Sequence, residues 1–225
     1  MHVVVNAAAS ADGKLSTRRR EQVEISGSED FARVDRLRAA SDAVLVGVGT
    51  VLADDPHLTI DDPTLREERR ARGDSENPDR VVVDSSGRTP LDARILDSAA
   101  TTYVVVAADA TADRKAALAD AGAEILVAGE ERVMLPEALS KLSERGVEDL
   151  MVEGGGEVIY SLFAADLVDE LSLYLGSLVL GGRDAPTVAD GAGFVGSFPK
   201  LSLRDVSRID DGVLLRYDVQ GGSGR

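Results

Sequence analysis

The segment Met151-Val152-Glu153-Gly154-Gly155-Gly156-Glu157 sits between an apolar run and a second one, Val158–Phe163. That order reads as a buried strand, a glycine turn and the first turn of a helix. Glycines there let backbone approach a ligand closely, and a helix start offers unpaired N–H groups to an anion such as a phosphate. Glu153 falls at the strand end, where a carboxylate faces a crevice rather than the core. The plainer alternative is a tight turn with no ligand. Gly47-Val48-Gly49-Thr50 also follows a strand-like run and adds a hydroxyl donor to its glycines. It is not the dinucleotide fingerprint, because Leu52 stands where the third glycine belongs; a helix-entry turn is the alternative. Ser85-Ser86-Gly87-Arg88 offers a guanidinium suited to bidentate grip on a phosphate, against the alternative of a surface arginine. Asp12-Gly13-Lys14 follows the first apolar run. Lys14 is one of only four lysines, which suggests a phosphate or a polarised oxygen as its partner, although Asp-Gly turns are also common structural devices.

These loops need a framework, and the hydrophobic pattern supplies one. Apolar runs at 2–9, 43–48, 80–84, 102–107, 124–127 and 149–152 read as strands. Between them, Ser28 offers an N-cap for a helix with Phe31, Val34 and Leu37 on one face. Helices over 113–121 and 135–145 end at Gly122 and Gly146. Continuous apolar strands separated by helices predict an α/β fold with a largely parallel, doubly covered sheet. The stretch 61–79, rich in Arg, Glu and Asp, reads as a solvated loop or a frayed helix. Further on, 169–175 alternates and runs through Leu178-Val179-Leu180 to Gly181-Gly182. Runs at 201–209 and 213–219 flank Asp210-Asp211-Gly212, a hairpin signal. Antiparallel strands should thus finish the sheet. We expect one domain over residues 1–220 and a flexible tail over 221–225.

Composition excludes several chemistries. With no cysteine there is neither a disulfide nor a thiolate nucleophile or metal ligand, and two histidines, His2 and His57, exclude a His-rich metal centre. No apolar run reaches the ~18–20 residues of a membrane span, and the start lacks the pattern of a signal peptide, so a cytoplasmic protein is expected. Forty acidic against 25 basic residues give a net charge of −15. Such a surface repels nucleic acid. It suits a halophile's cytosol, where molar salt screens self-repulsion to within ~3 Å.

Taken in order, the segments around Ala9–Lys14, Gly47–Thr59, Val83–Arg88, Glu153–Gly156 and Leu167–Leu171 resemble the reductase family of riboflavin biosynthesis. The resemblance covers residues 3–219. It implies a dihydrofolate-reductase-like three-layer sandwich and NADPH-dependent reduction of a ribosylaminopyrimidinone 5′-phosphate to its ribityl form, with NADH as the other possible donor. It places Ala9, Thr50, Asp54, Ser85, Arg88, Gly154, Gly155, Gly156 and Glu157 at the cofactor. Lys14, Arg38, Leu58 and Glu153 fall at the substrate, Leu58 packing on its flat ring. Arg38 is equally explained as a cationic cap of its helix. One departure stands out: Asp61 occupies the place of an arginine that in bacterial relatives holds the substrate phosphate. Lys14, Arg18 and Arg38 are the remaining candidates.

The reaction needs one proton and no metal, and carboxylates are the groups at hand. Glu153 is the first candidate and Asp54 the second. A zinc deaminase often fused to bacterial members is excluded by the lack of cysteine. A free-standing reductase resembles the archaeal and fungal route, which favours the diamino substrate over the deaminated uracil. Dihydrofolate reductase and an NADPH-binding regulatory protein are the rivals. The apolar run 171–180, read as a strand near a sheet edge, predicts a homodimer pairing through it.

Overall fold

The computed structural model describes residues 1–221. The elements run β1 (His2–Ser10), α1 (Ser28–Ala40), β2 (Ala43–Gly47), α2 (Val48–Asp54), α3 (Pro63–Arg72), β3 (Asp79–Val83), β4 (Thr102–Val106) and α4 (Ala112–Asp120). They continue with β5 (Ala123–Val127), α5 (Leu135–Ser143), β6 (Asp149–Gly154), α6 (Gly156–Ala164), β7 (Glu170–Gly176), β8 (Lys200–Ile209) and β9 (Gly212–Gln220). The predicted tail, apart from Gly221, lies outside the described residues.

The chain divides into two compact units. The first holds Met1 and Asp35–Met151; the second holds His2–Val34 and the chain from Val152 on. In the first, the strand order is β5-β4-β3-β2-β6, and β2 to β5 pair in parallel. β2 and β4 are buried along their whole length, as expected of the apolar runs AVLVG and TYVVV between covering helices. Each fully buried valine or leucine contributes about 1.5–3 kcal/mol. Arg80 of β3 is the exception, a fully buried cation whose η nitrogens reach Ile95 O, Asp97 O and the Asp97 carboxylate.

In the second unit the order is β6-β1-β7-β9-β8. β1 and β7 are parallel, while β9 runs antiparallel to both β7 and β8. The β8–β9 hairpin turns at Asp210-Asp211, as the sequence predicts. A bulge between Leu203 and Asp205 absorbs Arg204. Without that extra residue Val206 would point to the opposite face. With it, Leu201, Leu203 and Val206 share a face with their partners Val219, Tyr217 and Leu215.

Three expectations are corrected. The stretch 61–79 contains an ordered helix, α3, started by Asp62, whose carboxylate accepts Thr64 N–H, followed by Pro63 at N1. Gly73 ends it at φ 94°. The helix is anchored by polar contacts, which hydrophobic periodicity does not register: buried Arg69 donates to Ser75 O, Ala39 O and Ser41 O. Ser28 does not cap α1. The Glu29 and Asp30 N–H groups donate instead to the carboxylate of Asp210, 180 residues away along the chain from Asp30. Finally, β7 ends at Gly176 and is no edge. It lies between β1 and β9, and the edge strand of the second unit is β8.

Candidate active site

In the second unit, β6 ends at Gly154, Gly155 turns the chain at φ 89° and ψ 94°, and Gly156 opens α6. No side chain caps this helix start. Only glycine fits at 156: a methyl group there would lie 2.5 Å from Thr187 O and 3.0 Å from Asp190 Oδ2. Glu153 is half-buried one residue before the strand end, and Glu157 is exposed in the first helical turn. At the end of β1, Ala9 is buried opposite Leu175 of β7. Lys14 then pairs with Thr187 in an isolated bridge, and its Nζ donates to Ala185 O at 3.2 Å. Lys14 and Gly156 are therefore brought together through one segment, 185–190, which touches both.

Asp12 fastens the chain a few residues before that segment, at Leu180 and Gly181. Its carboxylate accepts Ser10 Oγ–H at 2.7 Å, Leu180 N–H at 3.0 Å and Gly181 N–H at 2.7 Å. The strand-like reading of 178–180 missed this role, because an exposed Asp-Gly turn does not say which distant amides it will bind. The Ser10 hydroxyl and the Leu180 and Gly181 amides together pull the Asp12 pKa from 3.8 to about 2. A carboxyl depressed in the fold holds its partners fully above its ordinary pKa and loses them as the pH falls through the depressed one. The Leu180 and Gly181 amide shifts should therefore titrate together with a midpoint near 2. NMR over pH 1.5–5 (roughly the span between the two protonation limits) checks this, and a midpoint near the ordinary carboxyl value would refute it.

In the first unit, Thr50 and Asp54 lie one turn apart on α2, both half-buried, and a side chain at Gly49 would meet open space. Beyond α2 the backbone is unusual. Asp55 and Leu58 both adopt left-handed conformations, at φ 40° and 52°, with Pro56 between them. Leu58 is only 3% exposed, so its side chain packs into the protein. Arg38 NH1 donates to Thr59 O at 2.7 Å, which ties α1 to this loop. Arg38 lies in the last turn of α1, where its charge also suits the helix dipole, and Arg69 and Arg72 donate to the α1 carbonyl of Ala39. Asp61 is exposed, and its N–H donates to Asp35 Oδ2. At the end of β3, Ser85 Oγ accepts Val133 N–H, while Arg88 is exposed with Nε 4.0 Å from Asp84 Oδ1. Asp84, fully buried, closes the turn by accepting Thr89 N–H and Oγ–H. Its Oδ1 has no hydrogen-bond partner.

Two cavities contain none of the predicted residues. One of about 450 Å³ in the second unit is lined by Phe163, Phe194, Phe198 and Lys200; one of about 260 Å³ in the first by Asp42, Arg69, Asp79 and Arg145. Among the described residues no cluster of three or more His, Asp and Glu suits a metal ion, and no helix is long and apolar enough to cross a membrane. The α6 start, with uncapped amides beside a glycine turn, fits an anionic group of a nucleotide cofactor.

Mostly parallel strands are closed by an antiparallel C-terminal pair, with glycine, hydroxyl and carboxylate groups at their carboxyl ends, which makes this a mixed α/β fold. A pyrimidine reductase-like protein from Corynebacterium diphtheriae has the same fold, with a TM-score of 0.86 at 19% identity over 97% of this chain and 91% of that one. The family model described as RibD C-terminal domain matches residues 1–215, and the chain belongs to that family. It is 50% identical over 211 residues (94% of each chain) to the 2,5-diamino-6-ribosylamino-4(3H)-pyrimidinone 5′-phosphate reductase of Archaeoglobus fulgidus. It is 40% identical over 222 residues to the protein of that name from Methanothermobacter thermautotrophicus, covering 98% of this chain and 99% of the relative.

Proposed function

We propose that the chain reduces the ribosyl group of 2,5-diamino-6-ribosylamino-4(3H)-pyrimidinone 5′-phosphate to ribityl, an early step of riboflavin biosynthesis, with NADPH. The observation that carries this reading is the 50% identity, over nearly the full length, to a reductase so named. The chain is a reductase; the roles of its residues follow from chemistry. The sugar must open to an imine or aldehyde before it can accept a hydride, which NADPH supplies when bound. The protein's part is position, exclusion of water and one proton. Glu153, at a strand end beside the glycine turn, supplies that proton, with Asp54 as the second candidate. Ala9, Thr50, Asp54, Ser85, Arg88, Gly154, Gly155, Gly156 and Glu157 hold the cofactor. Lys14 and Arg38 orient the substrate, and either can meet its phosphate by turning from the carbonyl it now binds. Leu58 packs against the substrate's flat ring. No step needs a membrane or nucleic acid, and the net charge of −15 suits a cytoplasm rich in salt.

The decisive experiment is NADPH oxidation in molar KCl with the diamino substrate, its deaminated analogue and dihydrofolate. Turnover of the diamino compound alone supports the reading. Turnover of the uracil alone reverses the order of reduction and deamination, and binding without turnover would mean a regulatory protein.

A homodimer remains our reading of the quaternary state, moved from β7 to the hairpin. Leu201, Leu203, Val206 and Val213 are 38–56% exposed on one face of β8 and β9, which is anomalous on so charged a surface. Sedimentation in molar KCl should give twice the 23.7 kDa chain mass, and the Val206→Glu variant should give the monomer.

A further inference from the structure

His57 has no role in the reading above, yet it stands at the centre of the most constrained loop of the first unit. Asp55 and Leu58 hold left-handed conformations that cost non-glycine residues free energy, so the surroundings must enforce them. On one side the enforcement is fixed: Leu58 is buried, Arg38 binds Thr59 O, and Ile60 N–H donates to Asn77 Oδ1. On the other side Asp55 accepts Arg94 N–H at 2.8 Å, and His57 Nε2 lies 2.9 Å from Asp97 Oδ2. Asp97 is itself immobilised. Its Oδ1 accepts Arg80 NH2 at 2.9 Å and Ala99 N–H at 3.0 Å, and Arg80 is fully buried. Burial pushes the Asp97 carboxyl up, but the Ala99 amide, Arg80 and His57 outweigh it and keep it below the usual range. His57 is thus tied through Asp97 to the buried Arg80.

We propose that His57 is a positioning residue: the chain His57–Asp97–Arg80 holds the 55–58 loop in its strained form. The effect on catalysis rests on reading Asp54 and Leu58 as parts of the ligand-binding loop.

The test has two readouts. At fixed pH, amide exchange of Leu58 and Thr59 should quicken by about two- to fivefold in His57→Leu, the scale of a part-exposed ion pair, and by a similar factor in Asp97→Asn. With the diamino substrate, both variants should raise KM by a similar factor at unchanged kcat, and the double variant should add nothing to either single one. Wild-type exchange and KM in His57→Leu, or additive effects in the double variant, overturn the proposal. Absence of NADPH oxidation by the wild type would instead condemn the functional reading, and the exchange data would then decide the clamp.

Discussion

Replacing Glu153 with Gln should lower kcat by about 10²–10⁴-fold, the usual contribution of a positioned proton donor, while KM stays within a few-fold. The amide keeps the size of the carboxyl and its acceptor oxygen but cannot pass on a proton. At 1.36 kcal/mol per tenfold, the loss corresponds to roughly 3–5 kcal/mol of transition-state stabilisation. Asp54→Asn should cost less, because Asp54 is the second candidate and lies in the last turn of α2. Steady-state NADPH oxidation by both variants separates the cases. Full turnover by Glu153→Gln would pass the role to Asp54 or to solvent.

The largest effect on stability should come from Arg33→Ala in the second unit. The Arg33 guanidinium spreads its donors over three elements: Asp30 Oδ1 at 2.8 Å, Ser172 Oγ at 3.0 Å and Asn6 Oδ1 at 2.9 Å. All four residues are at most 9% exposed, and Asp30 is 1% exposed. Truncation leaves a buried carboxylate and two buried polar groups without partners, which costs about 3–5 kcal/mol. At roughly 2–4 °C per kcal/mol for a chain of this size, the melting temperature should fall by about 6–20 °C. Arg33→Lys should recover little, since an ammonium cannot reproduce the planar fork. The double change Asp30→Asn with Arg33→Met should recover much of the loss, because it removes both charges together. Melting curves at fixed KCl concentration decide it; a single variant within a degree of wild type would mean that water already satisfies these groups.

Most of the framework is legible in the sequence because its signals are local. The runs at 43–48 and 102–107 are too apolar to be anything but buried, and Asp210-Asp211-Gly212 sets the hairpin. The glycine turn is legible because Gly155 needs its φ of 89°. What escaped was set by distant polar partners. Helix α3 is pinned by Arg69 to carbonyl oxygens, so its sequence carries no apolar stripe. Asp210 caps α1 from the far end of the chain, and Asp12 gathers amides that only the fold brings near. The candidate site divides in the same way. Its residue types could be read from spacing and family resemblance. The burial of Leu58 and the carbonyl partners of Lys14 and Arg38 depend on backbone placed by other segments.

The cap on α1 also says something about how the chain is made. Residues 35–151 form an uninterrupted stretch of one unit, able to collapse as they leave the ribosome. The other unit joins segments from either side of that stretch. β1 precedes β7 by more than 160 residues, and the first turn of α1 gains its cap only when Asp210 arrives. Until then β1 lacks its β7 partner. Premature termination anywhere before the hairpin should therefore yield an aggregating product instead of a partly active one.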